Sequence, residues 1–407
     1  MSGPLTGLRI LDLTRILAGP VATQILGDLG AEVIKVERPD GGDDTRRWGP
    51  PYLDNGDDET VGESAYYLSA NRNKRSITLD LSRPEGQALA RRLIAKCDVV
   101  IENFKVGDLA RRGLDYDALK EDFPGLVYCS ISGFGQTGPY ADRAGYDMLA
   151  QAMGGLMSIT GDEHGDPAKV GVAIADVMTG MYANTAILAA LRHREATGEG
   201  QYIDMALLDC QVAWLVNAGM NYLVGGPEHM PRRMGTAHPN IVPYQALPSS
   251  DGYFMLAVGN DSQFRKFCDF AGLEGVSDDP RFATNDARVR HRETLIATLR
   301  SITEKQPTAY WLDGLAPLGV PAGPVNDIAQ VFADPQVIHR GMRIDMPHPA
   351  SASGTVPLIA SPIRLSRTPV DYRRPPPTLG QDTEAVLSTL LDLDGEDIAA
   401  LCAAGVI

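Results

Sequence analysis

LRILDLTRILAGPVATQILGDLGAEVIKVE, residues 8–37, begins and ends with an apolar run and carries apolar residues at helical spacing between them. The runs at 8–13 and 31–37 predict buried strands. The stretch at 19–30 predicts a helix, with a proline in its first turn and a glycine at its end. A strand, a helix and a second strand this close together form a βαβ unit, so the chain starts with the building block of a parallel sheet.

The alternation of strands and helices continues along the first third of the chain. Further strands are predicted at 76–81, 98–104 and 126–135, with helices at 84–97 and 116–122. Such alternation implies a parallel sheet covered on both faces, whose ligands bind near the carboxyl ends of the strands. The predicted fold class is therefore α/β.

The middle of the chain has a different character. GGPEHMPRRMGTAHP, residues 225–239, is rich in Gly and Pro and predicts a linker or a binding loop. YQALPSSDGYFMLAVG then predicts an antiparallel hairpin through its Ser-Asp-Gly turn, and helical patterns follow at 261–305. We expect a smaller α+β domain at 225–331 and a discontinuous large domain at 1–224 and 332–407.

Composition and charge limit the classes of function. The 407-residue chain has a formal net charge of −15, which argues against a nucleic-acid partner because such a protein presents a basic face. Its apolar runs fall short of the roughly 18 residues that a membrane helix needs, and its first residues resemble neither a signal peptide nor an Arg-rich leader. Five widely separated cysteines predict reduced thiols. We expect a cytoplasmic protein that binds neither nucleic acid nor a membrane.

Three common catalytic or cofactor motifs receive little support. Gly133, Gly135 and Gly138 match G-x-G-x-x-G after a predicted strand, but Pro139 and Tyr140 follow where a dinucleotide fingerprint opens a helix. We interpret these glycines as loop residues that need positive φ, and a nicotinamide-dependent oxidoreductase is the weaker alternative. The seven scattered histidines predict no metal site, and the chain lacks the G-x-S-x-G elbow of serine hydrolases.

One carboxylate stands within an apolar stretch, VGVAIADVMTGMYA at 170–183. Apolar residues recur at helical spacing after Asp176, which places Asp176 at the start of a helix. It could be a helix N-cap, which the local sequence alone favours, although Thr179 leaves a capping box incomplete. It could instead be a rigidly held nucleophile, with backbone N–H groups nearby to stabilise an oxyanion.

Ten blocks of sequence, taken in their order, resemble the class III coenzyme A transferases, a family that includes formyl-CoA transferase and carnitine-CoA transferase. The resemblance covers nearly the whole chain. It is carried by the blocks at 15–37, 41–51, 71–81, 102–116, 130–139, 145–155, 170–183, 197–209, 319–327 and 357–369.

The resemblance implies a fold, a partner and a nucleophile. The family has a Rossmann-like large domain with a parallel sheet, a smaller domain, and two chains threaded through each other as an interlocked homodimer. Its nucleophilic aspartate corresponds to Asp176, which reverses the preference for a cap. The reaction implied is transfer of coenzyme A between carboxylic acids through an aspartyl anhydride and an aspartyl-CoA thioester. The coenzyme A thioester is thus a substrate, and no permanently bound cofactor is expected.

The resemblance also implies where coenzyme A binds. The residues concerned are Leu17, Ala18, Arg38, Leu79, Asp80, Leu81, Ser82, Asn103, Phe104, Lys105, Arg111, Tyr146 and Asp147. Within the family, residues 232–246 and the following DGYFMLAVGNDSQF most resemble the succinyl-CoA:glutarate type. We therefore expect succinyl-CoA as donor and a small dicarboxylate as acceptor, with Arg233, Gly235 and His238 binding the carboxylate that does not react.

Two alternatives within the superfamily are weakened by single residues. Formyl-CoA transferase has Gln where this chain has Leu17, which argues against a formyl-CoA:oxalate type of reaction. The α-methylacyl-CoA racemases use a His in a G-H-D motif, and the matching position here is Tyr146. A coenzyme A-binding scaffold without activity is disfavoured because Asp176 is retained within its motif.

Overall fold

Six parallel strands form the main sheet of the chain, and their order is β3-β2-β1-β4-β5-β6. The computed structural model describes residues 3–57 and 62–407. The strands of the main sheet are β1 Arg9–Asp12, β2 Glu32–Glu37, β3 Lys74–Thr78, β4 Val99–Glu102, β5 Val127–Ser132 and β6 Tyr202–Ala206. The predicted parallel α/β sheet is confirmed. Its strand order is that of doubly wound dinucleotide-binding folds, in which ligands bind where the order reverses, between β1 and β4.

The remaining strands form two small antiparallel sheets. They are β7 Tyr244–Pro248, β8 Tyr253–Ala257 and β9 Ala322–Pro324, paired in that order, and β10 Arg343–Pro347 with β11 Thr355–Ile359. Pro248 of β7 lies opposite Tyr253 of β8, so the hairpin predicted from the Ser-Asp-Gly turn is confirmed.

Seventeen α-helices lie within the described residues. In chain order they are α1 Ala18–Asp28, α2 Ala65–Ser69, α3 Pro84–Ile94, α4 Tyr116–Leu119, α5 Asp147–Met153, α6 Leu156–Ile159, α7 Ile174–Thr197, α8 Leu207–Ala213, α9 Val216–Gly225, α10 Asp261–Phe270, α11 Asn285–Arg290, α12 Arg292–Thr303, α13 Thr308–Leu315, α14 Ile328–Ala333, α15 Pro335–His339, α16 Thr383–Leu391 and α17 Gly395–Ala403.

The chain divides into two compact units. The first comprises Met1–Gly155, Gly171–Leu215 and Gln336–Ile407, and so contains the main sheet and the C-terminal residues. The second comprises Leu156–Val170 and Val216–Pro335, which include the segment predicted as the small domain.

Both faces of the main sheet are buried, as a parallel sheet requires. On one face Leu11, Ile34 and Val100 pack with α3 and α16. On the other face Ile10, Val33 and Val99 pack with α1 and α7. By length and apolar composition α7 could cross a membrane, alone among the helices of 3–57 and 62–407, yet its buried residues pack as those of a core helix do.

Phe254, Phe264, Phe267 and Trp311 centre the core of the second unit. The rings of Phe254 and Trp311 stack with their centroids 5.7 Å apart. In contrast, α9 has no buried residue, and it exposes Leu223 and Val224 at 74% and 80%.

Several predicted element bounds are wrong. The strand predicted at 76–81 is β3, which ends at Thr78 because its partner β2 ends at Glu37. The Asp80 N–H then leaves the sheet and donates to the Val406 carbonyl at 2.8 Å. The helical stretch predicted at 261–305 is broken into α10, α11 and α12, each of the first two with its own side-chain N-cap.

Candidate active site

A cavity of about 640 Å³ lies in the first unit, at the reversal of strand order between β1 and β4. The loops that follow these two strands form part of its wall. Nine of the residues predicted for the site line it together: Leu17, Ala18, Asn103, Phe104, Lys105, Arg111, Tyr146, Asp147 and Asp176. The structure thus brings residues from five separate stretches of sequence to one place.

Asp176 lies in the first turn of α7 and is 9% exposed. The helix begins at Ile174, and its N-cap residue is Ala173, so the interpretation of Asp176 as the N-cap is wrong. The reason is that the helix starts earlier than the apolar pattern suggests, with its N-cap at Ala173 and Asp176 already inside the first turn. Among the described residues no hydrogen bond to the side-chain oxygens of Asp176 is found, and its carboxylate faces the cavity.

The capping of α7 is done by a residue from another helix. Asp147 is the first residue of α5, and its Oδ1 accepts hydrogen bonds from the N–H groups of Ala175, at 2.7 Å, and Asp176, at 3.2 Å. Its Oδ2 accepts from Gln151 Nε2 at 2.7 Å. Asp147 therefore satisfies two of the N–H groups in the first turn of α7 and fixes the backbone that carries Asp176.

Burial raises the pKa of Asp176 to about 7, and the neighbouring charge of Asp147 adds to the effect. A carboxylate with a raised pKa is more basic and poorly solvated, and both properties favour nucleophilic attack. The pKa of Tyr66 is raised to about 12 by burial and by Asp176, Asp147 and Asp43, so this phenol stays protonated beside the acidic pair.

The helices α1 and α7 pack unusually closely near the cavity. A Cβ atom placed on Gly180, one turn after Asp176, would lie 2.6 Å from the Ala18 carbonyl oxygen. Only glycine permits this approach. It sets Asp176 beside the first turn of α1, whose N-cap residue, Leu17, makes no side-chain capping bond.

Four cations line the same cavity, and sequence reasoning found only two of them, Lys105 and Arg111. The other two are Arg15, whose guanidinium pairs with Asp44 at 2.8 Å, and Arg143, which lies over the Tyr140 ring. Arg15 lies in the loop after β1 and Arg143 shortly before the Tyr146–Asp147 pair, and neither position by itself identifies a residue of the cavity. Trp48 also lines the cavity and was missed.

Five residues predicted to bind coenzyme A lie elsewhere. Arg38 is exposed and pairs with Asp44 at 2.9 Å. Leu79 and Leu81 have side chains in the hydrophobic core, which leaves only their backbone for a ligand. Asp80 accepts hydrogen bonds from the N–H and the hydroxyl of Ser82, so the side chains of Asp80 and Ser82 bind each other.

The glycine motif after β5 has a structural role. Gly135 and Gly138 have φ of 92° and 96°, as predicted for loop glycines, but Gly133 does not share this conformation. Gly133 instead packs against Gly145, where an added Cβ would lie 2.4 Å from the Gly145 Cα. The contact brings the segment carrying Tyr146 and Asp147 against the end of β5.

The predicted acceptor residues line a different cavity, of about 830 Å³, in the second unit. Arg233 donates to the carbonyls of Asp162 and Gly165, at 3.1 and 2.9 Å, and the Gly235 N–H donates to the Gly161 carbonyl at 2.9 Å. These two residues hold their own loop in place, and the Gly235 N–H is not free for a ligand.

Two other groups of this cavity can contact an anion. Arg232 is exposed, and no partner for its guanidinium is found within the described chain. His238 Nδ1 accepts from the Asn240 N–H at 3.0 Å, so in the neutral ring the proton lies on Nε2. Burial and the Arg292 charge lower the pKa of His238, which keeps the ring neutral at pH 7.

Comparison with known proteins gives concordant results. The model of CoA-transferase family III matches residues 5–383. The chain is 53% identical to succinate–glutarate CoA-transferase of Agrobacterium fabrum, over 95% of this chain and 96% of that protein. It is 48% identical to succinyl-CoA:glutarate CoA-transferase of Homo sapiens, over 99% and 90% of the two chains. A crystal structure of a CAIB/BAIF family protein from Brucella suis superposes with a TM-score of 0.84 at 51% identity, covering 96% of this chain and all of that one.

Proposed function

The chain belongs to CoA-transferase family III, and we propose that it moves coenzyme A from succinyl-CoA to a small dicarboxylate such as glutarate, with Asp176 as the nucleophile. Transfer of coenzyme A follows from the family, and the substrates are those named for the two relatives described above. The observation that carries the role of Asp176 is its buried carboxylate, poised beside two helix N-termini in a cavity lined by four cations.

The proposed reaction proceeds by two exchanges at Asp176. Its carboxylate attacks the thioester carbonyl of succinyl-CoA, the C–S bond breaks, and a succinyl–aspartyl anhydride and the coenzyme A thiolate form. The thiolate attacks the aspartyl carbonyl of the anhydride, which releases succinate and leaves an aspartyl-CoA thioester. The acceptor carboxylate attacks this thioester and expels the thiolate, and the thiolate then takes the acyl group of the new anhydride. The acceptor leaves as its CoA thioester and Asp176 is restored.

The cations of the cavity support binding of a polyanionic acyl-CoA. The chain as a whole is acidic, with 52 acidic and 37 basic residues. The cavity lining is less so, because Arg15, Lys105, Arg111 and Arg143 are balanced there by Asp44, Asp142, Asp147 and Asp176. Arginine binds phosphate oxygens in a bidentate manner, and a small basic cleft suffices to attract an anion.

We propose that the loop 232–238 binds the free carboxylate of the dicarboxylate. An unpaired carboxylate is costly away from water, so it needs a cation or several N–H donors. The Arg232 guanidinium, which has no partner within the described residues, and the His238 N–H can both donate to this carboxylate. Arg233 and Gly235 keep the loop in place.

Acceptors of equal length test this function. Purified enzyme with succinyl-CoA should use glutarate at least about tenfold better than valerate, the scale of one lost charged hydrogen bond. Arg232→Ala should remove this preference while the aspartyl adduct, followed by intact mass, still forms. Arg233→Ala should likewise weaken glutarate and spare valerate, because Arg233 holds the loop that carries Arg232. The matched control is Arg232→Lys, which keeps a cation at this position and should keep the preference. Equal use of both acid types by wild type would contradict the dicarboxylate pocket.

We further propose a homodimer, which the family resemblance implies. The exposed apolar side chains of α9 support it, because a second copy would remove them from water. Interlocked chains cannot separate by dilution alone, so sedimentation should show one dimeric species from micromolar to nanomolar concentration. A monomer that appears reversibly on dilution would contradict the interlocked arrangement.

A further inference from the structure

Ile16 has an unusual backbone conformation for its residue type. Its φ is 73°, in the left-handed region that disfavours β-branched side chains, and it lines the cavity of Asp176. It lies between β1 and α1, directly before Leu17. Strain of this kind persists only where the surroundings over-determine the conformation, and it is concentrated at functional sites.

The surroundings of Ile16 hold its segment at every residue. The Thr14 carbonyl accepts from Lys35 Nζ at 2.9 Å. The Arg15 N–H donates to Asn103 Oδ1 at 3.0 Å, and the Arg15 carbonyl accepts from Asn103 Nδ2 at 2.8 Å. The Ile16 N–H donates to Asp43 Oδ1 at 3.2 Å. Three side chains from separate loops and strands therefore fix three consecutive residues.

Two of these side chains form a buried ion pair. Lys35 Nζ and Asp43 Oδ2 are 2.8 Å apart, and both side chains are fully buried. Burial alone would raise the pKa of Asp43, but Lys35 together with the hydrogen bonds from Thr45 outweighs burial and lowers that pKa to about 2. Burial alone would lower the pKa of Lys35, but Asp43, with Asp12 and Glu37, raises it. Both partners are therefore charged.

A buried ion pair is a poor means of adding stability, since apolar residues of similar volume serve as well or better. Its value is in specifying geometry. Here the geometry concerned is that of the loop leading into the first turn of α1, which packs on α7 one turn from Asp176.

We propose that Lys35 and Asp43 are positioning residues for the transfer reaction: they hold Ile16 in its strained conformation and so keep Leu17 and the first turn of α1 in register with Asp176. The inference rests on the proposed function of Asp176. It assigns Lys35 and Asp43 no contact with the substrate.

Two double variants test the role without leaving an unpaired buried charge. Lys35→Met with Asp43→Leu removes the acceptor of the Ile16 N–H. Lys35→Met with Asp43→Asn removes the same charges but keeps an oxygen that can accept that N–H. We expect the Leu variant to lose about 100-fold in kcat with little change in KM for succinyl-CoA, and the Asn variant to stay within about tenfold of wild type.

The control is another buried ion pair of the first unit, Arg72 with Asp28 at 2.6 Å, which lies at the far end of α1. Arg72→Met with Asp28→Leu should lower stability as much as the Leu variant does and leave kcat unchanged. If all three double variants lose kcat equally, or if the Leu variant retains it, the positioning role is overturned.

Amide hydrogen exchange separates this inference from the proposed function. In the absence of any substrate, residues 14–18 should exchange faster in the Leu variant than in wild type, and should stay protected in the Asn variant. Unchanged exchange in the Leu variant overturns the positioning role whatever the activity. If the wild-type enzyme has no transfer activity, and the two variants still differ in exchange in this way, only the proposed function is overturned.

Discussion

Replacing Asp176 with Ala is expected to lower coenzyme A transfer by about 10⁴-fold or more, the scale of losing a covalent nucleophile. The neighbouring Asp147 is not expected to take its place, because its Oδ1 accepts hydrogen bonds from two backbone N–H groups and its Oδ2 accepts one from Gln151. The measurement is the rate of acyl exchange, together with intact mass after mixing with succinyl-CoA, which should show an adduct in wild type only.

The matched control is Asp209→Ala. Asp209 occupies the third position of α8, as Asp176 does in α7, but it is exposed and does not line the cavity. Both changes remove a negative charge from a first helical turn, and only one removes the proposed nucleophile. Substantial turnover by folded Asp176→Ala protein, or an equal loss in Asp209→Ala, would falsify the assignment.

The same substitution has an expected effect on stability. The folded protein holds the Asp176 proton up to a pKa of about 7, whereas the ordinary value of 3.8 applies when it unfolds. Wild-type stability should therefore fall as pH rises between these values, by a few kcal/mol at most. Asp176→Ala protein should not lose stability over this pH range, so its Tm at pH 8 should be higher than that of wild type. The difference should shrink towards pH 4, and kcat/KM of wild type should rise with pH with a midpoint near 7.

Gly180→Val should give the second large effect, a loss of stability of about 1–3 kcal/mol and a fall in kcat of about 100-fold. A Cβ at this position would lie 2.6 Å from a backbone oxygen, which cannot swing aside as a side chain can. The two helices must separate, and the separation moves Asp176 away from Ala18. Thermal unfolding and steady-state kinetics measure the two losses.

Ala189→Val is the control for Gly180→Val. Ala189 is an exposed residue of the same helix, so its substitution carries the cost of a β-branched side chain in a helix without steric overlap. It should leave kcat unchanged. If Gly180→Val behaves like Ala189→Val, the close packing of α1 on α7 is not needed for catalysis.

The fold was largely accessible from the sequence because its elements are local. The apolar periodicity of residues 8–37 predicts β1, α1 and β2, and alternation along the chain then predicts the parallel sheet. The predicted bounds of an element were wrong where a neighbouring strand determines them, as for β3, whose length is set by its pairing with β2. No periodicity within residues 76–81 contains that information.

The candidate site was accessible mainly through family resemblance, since Asp176 by itself is compatible with a helix cap. The true cap, Asp147, lies 29 residues earlier and could not be assigned from local spacing. Arg15 and Arg143 were missed because their local sequence does not distinguish them from other loop arginines, and only the folded chain shows that both line one cavity. The role proposed for Lys35 needed the φ of Ile16, which no sequence pattern reports.

The capping of α7 by Asp147 has a consequence for synthesis of the protein on the ribosome. Domains fold as units while the chain emerges, and the first turn of α7 is completed only when α5 has docked beside it. Until then Asp176 is a hydrated carboxylate with an ordinary affinity for protons. We expect the nascent chain to be inert towards cellular thioesters, with reactivity acquired in one step as the two helices meet.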